Sequence, residues 1–427
     1  MYPSFKEIIM SKTYKIMCVN AGSSSLKFKL YEMDDSALKE KKLRDKGRHL
    51  NVLTSGIVER IGHEDGIFTI KKPGGFKKTV TLPVSDHEYA VHLVMDGMIE
   101  HGVISSIEEI TAVGHRIVQG GQYFSDSALF TEETEEKIRS LIPLAPLHNP
   151  AHITCFEAFR KVLPPSVGQV AVFDTAFHQS MKPKEYMYPL PYEYYEKYSV
   201  RRYGAHGTSH KYLSTIAREE YLSEKEHTNI ITLHIGSGAS VCAIKDGKCI
   251  ATSMGLTPLA GVMMGTRTGD IDPSIMPYLM SCTGKSANEI YEVFNHQSGL
   301  IGVSGISNDT RDVEKAYERG DIRSTLAVEM YCQRVADYVC MYYGKLGHVD
   351  MIVCAAGVFE NAPLYREDSF ADCEEALGIK IDSEKNQEMI LGKEGYISTP
   401  DSRIPVTVIP TDEELMIALD TARILGL

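Results

Sequence analysis

NIITLHIGSGASVCAI, residues 229–244, is the stretch that decides the fold. Apolar runs at 230–233 and 241–244 flank the turn-prone segment 236–240, a pattern that predicts a strand, a tight turn and a second strand. Glycines let the backbone of such a turn come close to a ligand, and the N–H groups and hydroxyls left exposed there suit phosphate oxygens. The hairpin is therefore a candidate phosphate-binding loop.

The same arrangement occurs near the N-terminus, where apolar residues 16–19 precede the small-residue turn 20–25 and the strand-like run 26–30. Two separated copies predict a duplicated domain with a nucleotide held between the halves. Either loop alone is equally typical of an ordinary hairpin. The segment MGTRTGD at 264–270 favours ligand binding, because a plain hairpin does not need an arginine and an aspartate among its glycines.

Length and composition limit the possible classes of protein. A chain of 427 residues is too long for one ordinary core, so two domains are expected. The composition, with 43% hydrophobic and 24% charged residues, is typical of a soluble globular protein. The net charge of −12 argues against non-specific binding to nucleic acid or to an anionic membrane. No segment reaches the ~20 apolar residues of a membrane span, and no secretory apolar region is recognisable at the N-terminus, so a cytoplasmic location is expected.

Several segments predict structure rather than function. The nine cysteines form no Cys-X-X-Cys pair and no metal-site spacing, so buried reduced thiols are expected. Residues 1–11 are interpreted as either a disordered extension or the result of an upstream start site. The tyrosine-rich segment 186–203 is interpreted as a packed loop rather than a base-stacking surface, given the acidic balance.

Three polar residues stand at the ends of predicted elements. Arg116 comes late in the strand-like segment 111–118 and can reach a ligand above the sheet edge, with a surface ion pair as the alternative. Asp174 follows the buried strand 170–173, a common place for a metal ligand or catalytic acid, with a turn cap as the alternative. His206 precedes a helix N-terminus among glycines and arginines, which favours phosphate binding, although a lone histidine is more often structural.

Longer motifs resemble those of the acetate kinase family. They are NAGSSSLK (20–27), GHR (114–116), FDTAFH (173–178), HGTSH (206–210) and MGTRTGDIDP (264–273), and the resemblance runs from about residue 14 to the C-terminus. It implies an α/β fold of two duplicated ribonuclease-H-like domains around a nucleotide cleft, as in sugar kinases, heat-shock ATPases and actin. The implied first domain is 1–176 with the C-terminal helix 412–427, and the implied second domain, nucleotide-binding and dimerising, is 177–411. A homodimer is expected.

The resemblance also implies a role for each candidate residue. The catalytic residues would be Asp174, His206 and Arg267. The carboxylate substrate would be bound by Arg116, Val118, Leu147, Ala205 and Pro258. The nucleotide, ATP or ADP, would be lined by Lys27, His234, Ile235, Gly236, Ser237, Gly238, Asp309, Thr310, Arg311, Gly357, Val358, Phe359, Glu360 and Asn361. Mg²⁺ or Mn²⁺ would be held, directly or through water, by Asn20 and Glu413, with Asp174 beside them.

The implied reaction is Mg-dependent, reversible transfer of the γ-phosphoryl group of ATP to acetate or another short-chain carboxylate. A carboxylic acid has a pKa of roughly 4, so it is already an anion at pH 7 and needs no general base. It needs positive charge to approach a polyanionic phosphate, which two arginines, a histidine and Mg²⁺ supply. Positioning and metal organisation are therefore favoured for Asp174 over proton abstraction.

Three positions depart from the family pattern. Ala205 stands where the family has phenylalanine, which predicts extra room in the acyl pocket and better use of propionate or butyrate. Each additional methylene buried there could contribute ~0.8 kcal/mol of binding free energy. Ser237 replaces asparagine and retains a hydroxyl donor with a shorter reach. Phe359 replaces glycine, and its ring would either stack on adenine or block it. Blocking would shift the phosphoryl donor to pyrophosphate, whereas a slight shift of the loop would leave ATP binding intact.

Other classes of protein stay in competition. A non-catalytic nucleotide-binding relative is disfavoured because the charged candidates are intact. A heat-shock-type chaperone ATPase would need a peptide-binding domain after the ATPase core, for which no sequence is expected to remain. A sugar kinase would need an aspartate base for an alcohol and would not need two arginines at its acceptor site.

Overall fold

Two compact units make up the computed structural model, which describes residues 12–146 and 148–427. The first unit comprises the described residues up to Phe173 together with Glu413–Leu427, and the second is Asp174–Asp412. The chain thus passes from one unit to the other after 173 rather than after 176, and returns after 412 rather than after 411. As a result, Asp174 belongs to the second unit.

The first unit is built on one sheet of hydrogen-bonded strands. They are β1 (Thr13–Gly22), β2 (Ser25–Asp34), β3 (Leu50–Glu59), β4 (His63–Lys72), β5 (Phe76–Val84), β6 (Ile110–Ile117), β7 (Ala128–Leu129) and β8 (Gly168–Phe173). These form an eight-stranded sheet in the order β5-β4-β3-β2-β1-β6-β8-β7. Strands β1, β2 and β3 pair antiparallel, whereas β6 runs parallel to β1 and β8 parallel to β6.

Helices occur between several of these strands in the chain. They are α1 (Leu43–Gly47), α2 (His87–Glu100), α3 (Glu132–Ser140) and α4 (Asn149–Val162). The apolar side of α2 (Val91, Val94 and Met98) and Phe159 of α4 are fully buried against the apolar face of the sheet. The helical spacing of these residues explains the burial, because positions three and four apart share one side of a helix.

The second unit repeats the topology of the first. Its strands are β9 (Asn229–Ile235), β10 (Ala239–Lys245), β11 (Lys248–Thr252), β12 (Met351–Ala355), β13 (Gly395–Tyr396) and β14 (Val406–Val408), in the order β11-β10-β9-β12-β14-β13. Strands β9, β10 and β11 are antiparallel, and β12 and β14 continue parallel to β9. This is the pattern of β1, β2, β3, β6 and β8, and the prediction of a duplicated α/β fold is confirmed.

The helices of the second unit surround this sheet. They are α5 (Pro183–Tyr186), α6 (Tyr192–Tyr198), α7 (Gly207–Ile216), α8 (Ile275–Thr283), α9 (Ala287–His296), α10 (Gly299–Ser304), α11 (Thr310–Glu318), α12 (Ile322–Leu346), α13 (Ala356–Phe359), α14 (Pro363–Leu377) and α15 (Ser383–Glu388). The prediction of a packed tyrosine-rich loop was wrong, because α6 forms there with Tyr192 and Tyr198 58% and 64% exposed. None of the seven residues of this short helix is buried, so its tyrosines are not packed as predicted.

The chain ends as α16 (Glu413–Leu425), which packs against β1, β6 and β8 of the first unit. Gly114 of β6 makes this contact possible, since a Cβ there would lie 2.3 Å from Thr421 Oγ1 and 2.6 Å from Ile417 Cγ2. Among the described residues, no helix combines the length and apolarity needed to cross a bilayer. The expectations for residues 1–11 and for Leu147 concern positions outside the described residues.

Candidate functional site

A histidine at the start of α7 forms the centre of the candidate site in the second unit. His206 has a left-handed backbone (φ 57°), which is unfavourable for a residue with a side chain. The next residue, Gly207, donates its N–H to the carbonyl oxygen of Asp174 (3.0 Å), and a Cβ there would lie 2.1 Å from that oxygen. The glycine therefore lets the backbone of Asp174 hold the strained turn that presents the His206 ring.

A chain of buried hydrogen bonds orients the His206 ring. Its Nδ1 lies 2.8 Å from Ser240 Oγ, which in turn lies 2.8 Å from His210 Nε2, and His210 Nδ1 lies 2.7 Å from Thr232 Oγ1. Burial holds the pKa of His210 well below its usual value, so this imidazole is neutral and has one N–H. When His210 donates to Ser240, the Ser240 hydroxyl donates to His206 Nδ1, and the proton of His206 is then on Nε2.

The phosphate loop and an arginine lie beside that ring. A Cβ on Gly238 would be 3.1 Å from His206 Nε2 and 3.8 Å from Arg267 Nη1, so glycine allows the loop backbone to approach both side chains. Arg267 is half-buried, its Nη1 donates to Pro258 O (3.2 Å), and burial lowers its pKa without neutralising a guanidinium. The His234 ring stacks on His206 at 4.1 Å. The structure therefore brings the predicted loop, His206 and Arg267 together.

A cavity of about 620 Å³ opens next to the phosphate loop within the second unit. Predicted nucleotide-binding residues that line it are Gly236, Ser237, Asp309, Thr310, Arg311, Gly357, Val358 and Asn361. Sequence reasoning missed the remaining lining residues, which are Gly265, Leu300, Asn308, Glu314, Tyr331, Ala362 and Leu391. The volume lies in the range of pockets that hold a drug-sized organic ligand.

Two predicted lining residues have structural positions instead. Phe359 is fully buried in the core of the second unit, and its ring neither stacks in the cavity nor blocks it. The one-residue step from Val358 turns the side chain by ~100° about the helix axis, toward the core. The Glu360 carboxylate accepts hydrogen bonds from the N–H groups of Ala356 (2.7 Å) and Thr411 (3.0 Å). Ile235, Phe359 and Glu360 do not line the cavity, and their predicted contacts with the nucleotide stay predictions.

An ion pair stands at the rim of the cavity. The guanidinium of Arg311 binds Asp309 through Nε and Nη2, at 2.9 and 2.5 Å from the two carboxylate oxygens. Its hydrogen bond lowers the pKa of Asp309 to about 2. Asp309 also caps α11 by accepting from the Arg311 N–H (2.9 Å). The carboxylate is thus ionised at all physiological pH values and holds Arg311 at the rim.

The first unit contains the remaining candidates. Asn20 lies two residues before the end of β1 and pairs in register with the exposed Lys27 of β2. Two residues earlier on the same face of β1, the Cys18 thiol donates to Glu414 O (3.2 Å), so Asn20 lies on the side of the sheet facing the start of α16, where Glu413 is the first residue. The two oxygen donors fit a hard divalent cation.

Arg116 ends β6 in the same unit and is half-buried, whereas its neighbour Val118 is buried. A fully buried histidine lies close to it. Burial lowers the pKa of His152 well below its usual value, and the positive charge of Arg116 lowers it further. Neither ring nitrogen of His152 has a hydrogen-bond partner among the described residues. Sequence reasoning did not single out this imidazole.

Comparison with known proteins places this geometry among kinases. The model of the acetokinase family matches residues 15–419. The acetate kinase of Anoxybacillus flavithermus is 47% identical over 97% of this chain and 99% of its own length, and that of Thermotoga maritima is 48% identical over 96% and 98%. The crystal structure of Porphyromonas gingivalis acetate kinase matches with a TM-score of 0.87 at 45% identity, over 96% of this chain and 100% of the other. The crystal structure of a propionate kinase from Francisella tularensis matches with a TM-score of 0.86 at 39% identity, over 96% of this chain and 99% of the other.

Proposed function

The chain belongs to the acetokinase family and is a phosphotransferase, and from this premise we propose that it transfers the γ-phosphoryl group of ATP reversibly to acetate and related short-chain carboxylates, giving an acyl phosphate and ADP. One observation carries the proposal. The Gly236–Gly238 loop, His206 and Arg267 converge at one end of a nucleotide-sized cavity. That arrangement supplies hydrogen-bond donors and positive charge where a terminal phosphoryl group would lie.

The residues of the second unit act on the phosphoryl group. Arg267 and the Nε2–H of His206 donate to its equatorial oxygens as charge spreads over them in the transition state. The Ser240 and His210 hydrogen bonds hold that N–H in place before the reaction, so little reorganisation is needed. The carboxylate attacks as an anion, and no proton has to be removed from it.

A divalent cation completes the proposed site. Mg²⁺ or Mn²⁺ would be held by Asn20 and Glu413, whose amide and carboxylate oxygens suit a hard ion at the N-terminal end of α16. The ion supplies charge neutralisation on the phosphate tail of the nucleotide. Asp174, whose backbone braces the His206 turn, is proposed to organise the metal rather than to abstract a proton.

ATP is the proposed phosphoryl donor. The pyrophosphate alternative depended on a Phe359 ring that blocks the adenosine site, and that ring is buried in the core. The cavity leaves about 620 Å³ for a nucleoside beside the phosphate loop. Ser237 lines the cavity and can donate its hydroxyl to a phosphate oxygen.

Acetate and propionate are both proposed acceptors. Arg116 would bind the carboxylate, and Val118, Leu147, Ala205 and Pro258 would surround the acyl chain. Two observations support the wider range: residue 205 is a small alanine, where the family resemblance implies phenylalanine, and a structural relative at 39% identity is a propionate kinase. Each extra methylene contributes ~0.8 kcal/mol, or about fourfold in kcat/KM. We expect propionate to be used within about tenfold of acetate, and Ala205→Phe to favour acetate.

We also propose a homodimer formed through α8. None of the residues of α8, all of which the structure describes, is buried, although the helix is rich in apolar side chains. Nearby Ile271 and Ile275 are 38% and 37% exposed, and Tyr278 is 68% exposed. A second copy would cover this apolar surface. Tyr278→Glu should halve the mass measured by light scattering, whereas Tyr198→Glu on α6, equally exposed, should leave it unchanged.

A matrix of acceptors against donors tests the proposed reaction. Purified protein with Mg²⁺ is assayed for acyl phosphate, trapped as the hydroxamate, using acetate, propionate and butyrate with ATP or pyrophosphate. We expect product with ATP and the two shorter acids. Product with pyrophosphate alone would overturn the donor assignment, and no product with any pair would favour a non-catalytic nucleotide-binding relative.

A further inference from the structure

Three soft-metal ligands meet in the core of the second unit. His178, Cys242 and Cys249 are each completely buried. His178 Nδ1 lies 3.2 Å from Cys249 Sγ, the two sulfurs are 3.4 Å apart, and all three ligand atoms lie within 4.8 Å of one another. None of these side chains has a role in the proposed kinase reaction.

Strand pairing brings the two cysteines together, although their spacing in the sequence does not indicate a metal site. Cys242 and Cys249 lie on β10 and β11, which form an antiparallel hairpin with a register shift between Ala243 and Ile244. The shift pairs Cys249 with Ile244, and the two thiols meet although seven residues separate them in sequence. His178 comes from the 3-10 helix Ala176–Ser180, which packs on β11. The sequence prediction of cysteines without a metal-binding arrangement therefore missed a three-dimensional one.

The tautomer of His178 suits a metal ligand. Its Nε2 lies 2.9 Å from the carbonyl oxygen of Ala205, which can only accept, so the ring proton is on Nε2. In the neutral ring, Nδ1 is thus the nitrogen with a free lone pair, and it faces the two sulfurs. Metal-binding histidines usually donate their second N–H to a backbone carbonyl or carboxylate in this way, which fixes the ring.

We propose that His178, Cys242 and Cys249 bind one Cu⁺ ion per chain. Two thiolates and an imidazole are soft ligands, and three of them complete the coordination of Cu⁺, whereas Zn²⁺ in structural sites almost always takes four. With metal–sulfur bonds of about 2.3 Å, the sulfurs around one ion would be about 3.8–4.0 Å apart. The thiols would have to separate by only about half an ångström. Binding replaces two S–H bonds with two Cu–S bonds and releases two protons, with no change of oxidation state.

The site is mechanically linked to His206. The carbonyl that fixes His178 is that of Ala205, the residue directly before His206. Gly204 fits against the same ring, since a Cβ there would lie 2.7 Å from His178 Cδ2. A shift of the His178 ring onto an ion would therefore move residues 204–205 and the strained backbone of His206. We expect a bound Cu⁺ ion to lower phosphoryl-transfer turnover at least tenfold.

Anaerobic uptake of Cu⁺ tests this site. The reduced full-length protein is titrated with Cu⁺ against a chromophoric Cu⁺ chelator, and metal content is measured after gel filtration. Exposed Cys282 is a competing ligand, so it is replaced by serine in the reference variant Cys282→Ser. Cys249→Ser and Cys242→Ala are each added to that variant, and both double variants are compared with Cys282→Ser and with the wild type. We expect one tightly held Cu⁺ in wild type and Cys282→Ser, and none in the other two. X-ray absorption should show two sulfurs and one nitrogen.

Three results would overturn the proposal. They are no uptake by the wild type, undiminished uptake by Cys249→Ser, and a Cys242–Cys249 disulfide that forms in place of the metal complex. Circular dichroism and a thermal melt verify that both variants are folded. If one of the two variants does not fold, the other still tests the site. The uptake measurement does not depend on the proposed function. Full turnover by a copper-loaded wild type would separately overturn the link to His206.

Discussion

Replacing Ser240 with alanine tests how the His206 ring is held. The Ser240 hydroxyl is completely buried and is 2.8 Å from both His206 Nδ1 and His210 Nε2. Its removal leaves the buried His210 nitrogen without this partner, which costs about 1–3 kcal/mol of unfolding free energy. It also releases the His206 ring, and misplacement of an acting group by about 1 Å can lower the rate on the order of 100-fold.

We therefore expect Ser240→Ala to lower kcat roughly 10- to 100-fold and to lower the melting temperature. Both Michaelis constants should change little, because the ring acts mainly on charge that develops in the transition state. The assay is hydroxamate formation at saturating ATP and acetate, with each KM measured separately.

Thr232→Val is the matched control. It removes the hydroxyl at the far end of the same chain, next to His210 and away from His206, and it nearly preserves shape. We expect a similar loss of stability with less than a threefold change in kcat. Equal losses of kcat in the two variants, or a kcat within twofold of wild type for Ser240→Ala, would refute the reasoning.

Three further predictions concern the rest of the molecule. Arg267→Ala should lower kcat by on the order of 10³-fold or more, because it removes charge from the transferring phosphoryl group, and turnover near wild type would reject its role. Val358→Trp should fill part of the cavity and raise the KM for ATP at least tenfold while leaving the KM for acetate unchanged in steady-state kinetics. Burial disfavours the charged imidazole and lowers the pKa of His115 from 6.5 to about 4 in the folded protein. Above pH 6.5 the ring is neutral in both the folded and the unfolded chain, so the contribution of His115 to stability is then complete. That contribution should be lost as pH falls from 6.5 toward 4, at about 1.4 kcal/mol per pH unit, and His115→Gln should flatten the pH dependence of urea unfolding.

The sequence was sufficient to predict the backbone of the candidate site. Alternating apolar runs around 16–30 and 229–244 predicted both hairpins, and glycines marked the points where the backbone approaches His206 and Arg267. Those features are local, because strand alternation and turn chemistry depend on neighbouring residues.

The direction in which a side chain points was harder to predict from the sequence than the position of the backbone. Whether Phe359 faces the cavity or the core depends on the phase of a four-residue helix, which composition does not determine. The meeting of Cys242 with Cys249 depends on a register shift that becomes visible only when the strands are paired. Ser240 and Thr232 look like ordinary strand residues until the buried imidazole of His210 is placed between them. Each of these facts depends on tertiary contacts rather than on local pattern.

The return of the chain to the first unit has a consequence for synthesis. Helix α16 packs on β1, β6 and β8, yet it begins at Glu413, after the whole of the second unit. On the ribosome, the face of the nascent first sheet around Gly114 must wait uncovered until some 240 further residues have been translated, about 12–50 s at ~5–20 residues per second. The unit that is translated first is thus the unit whose core is completed last.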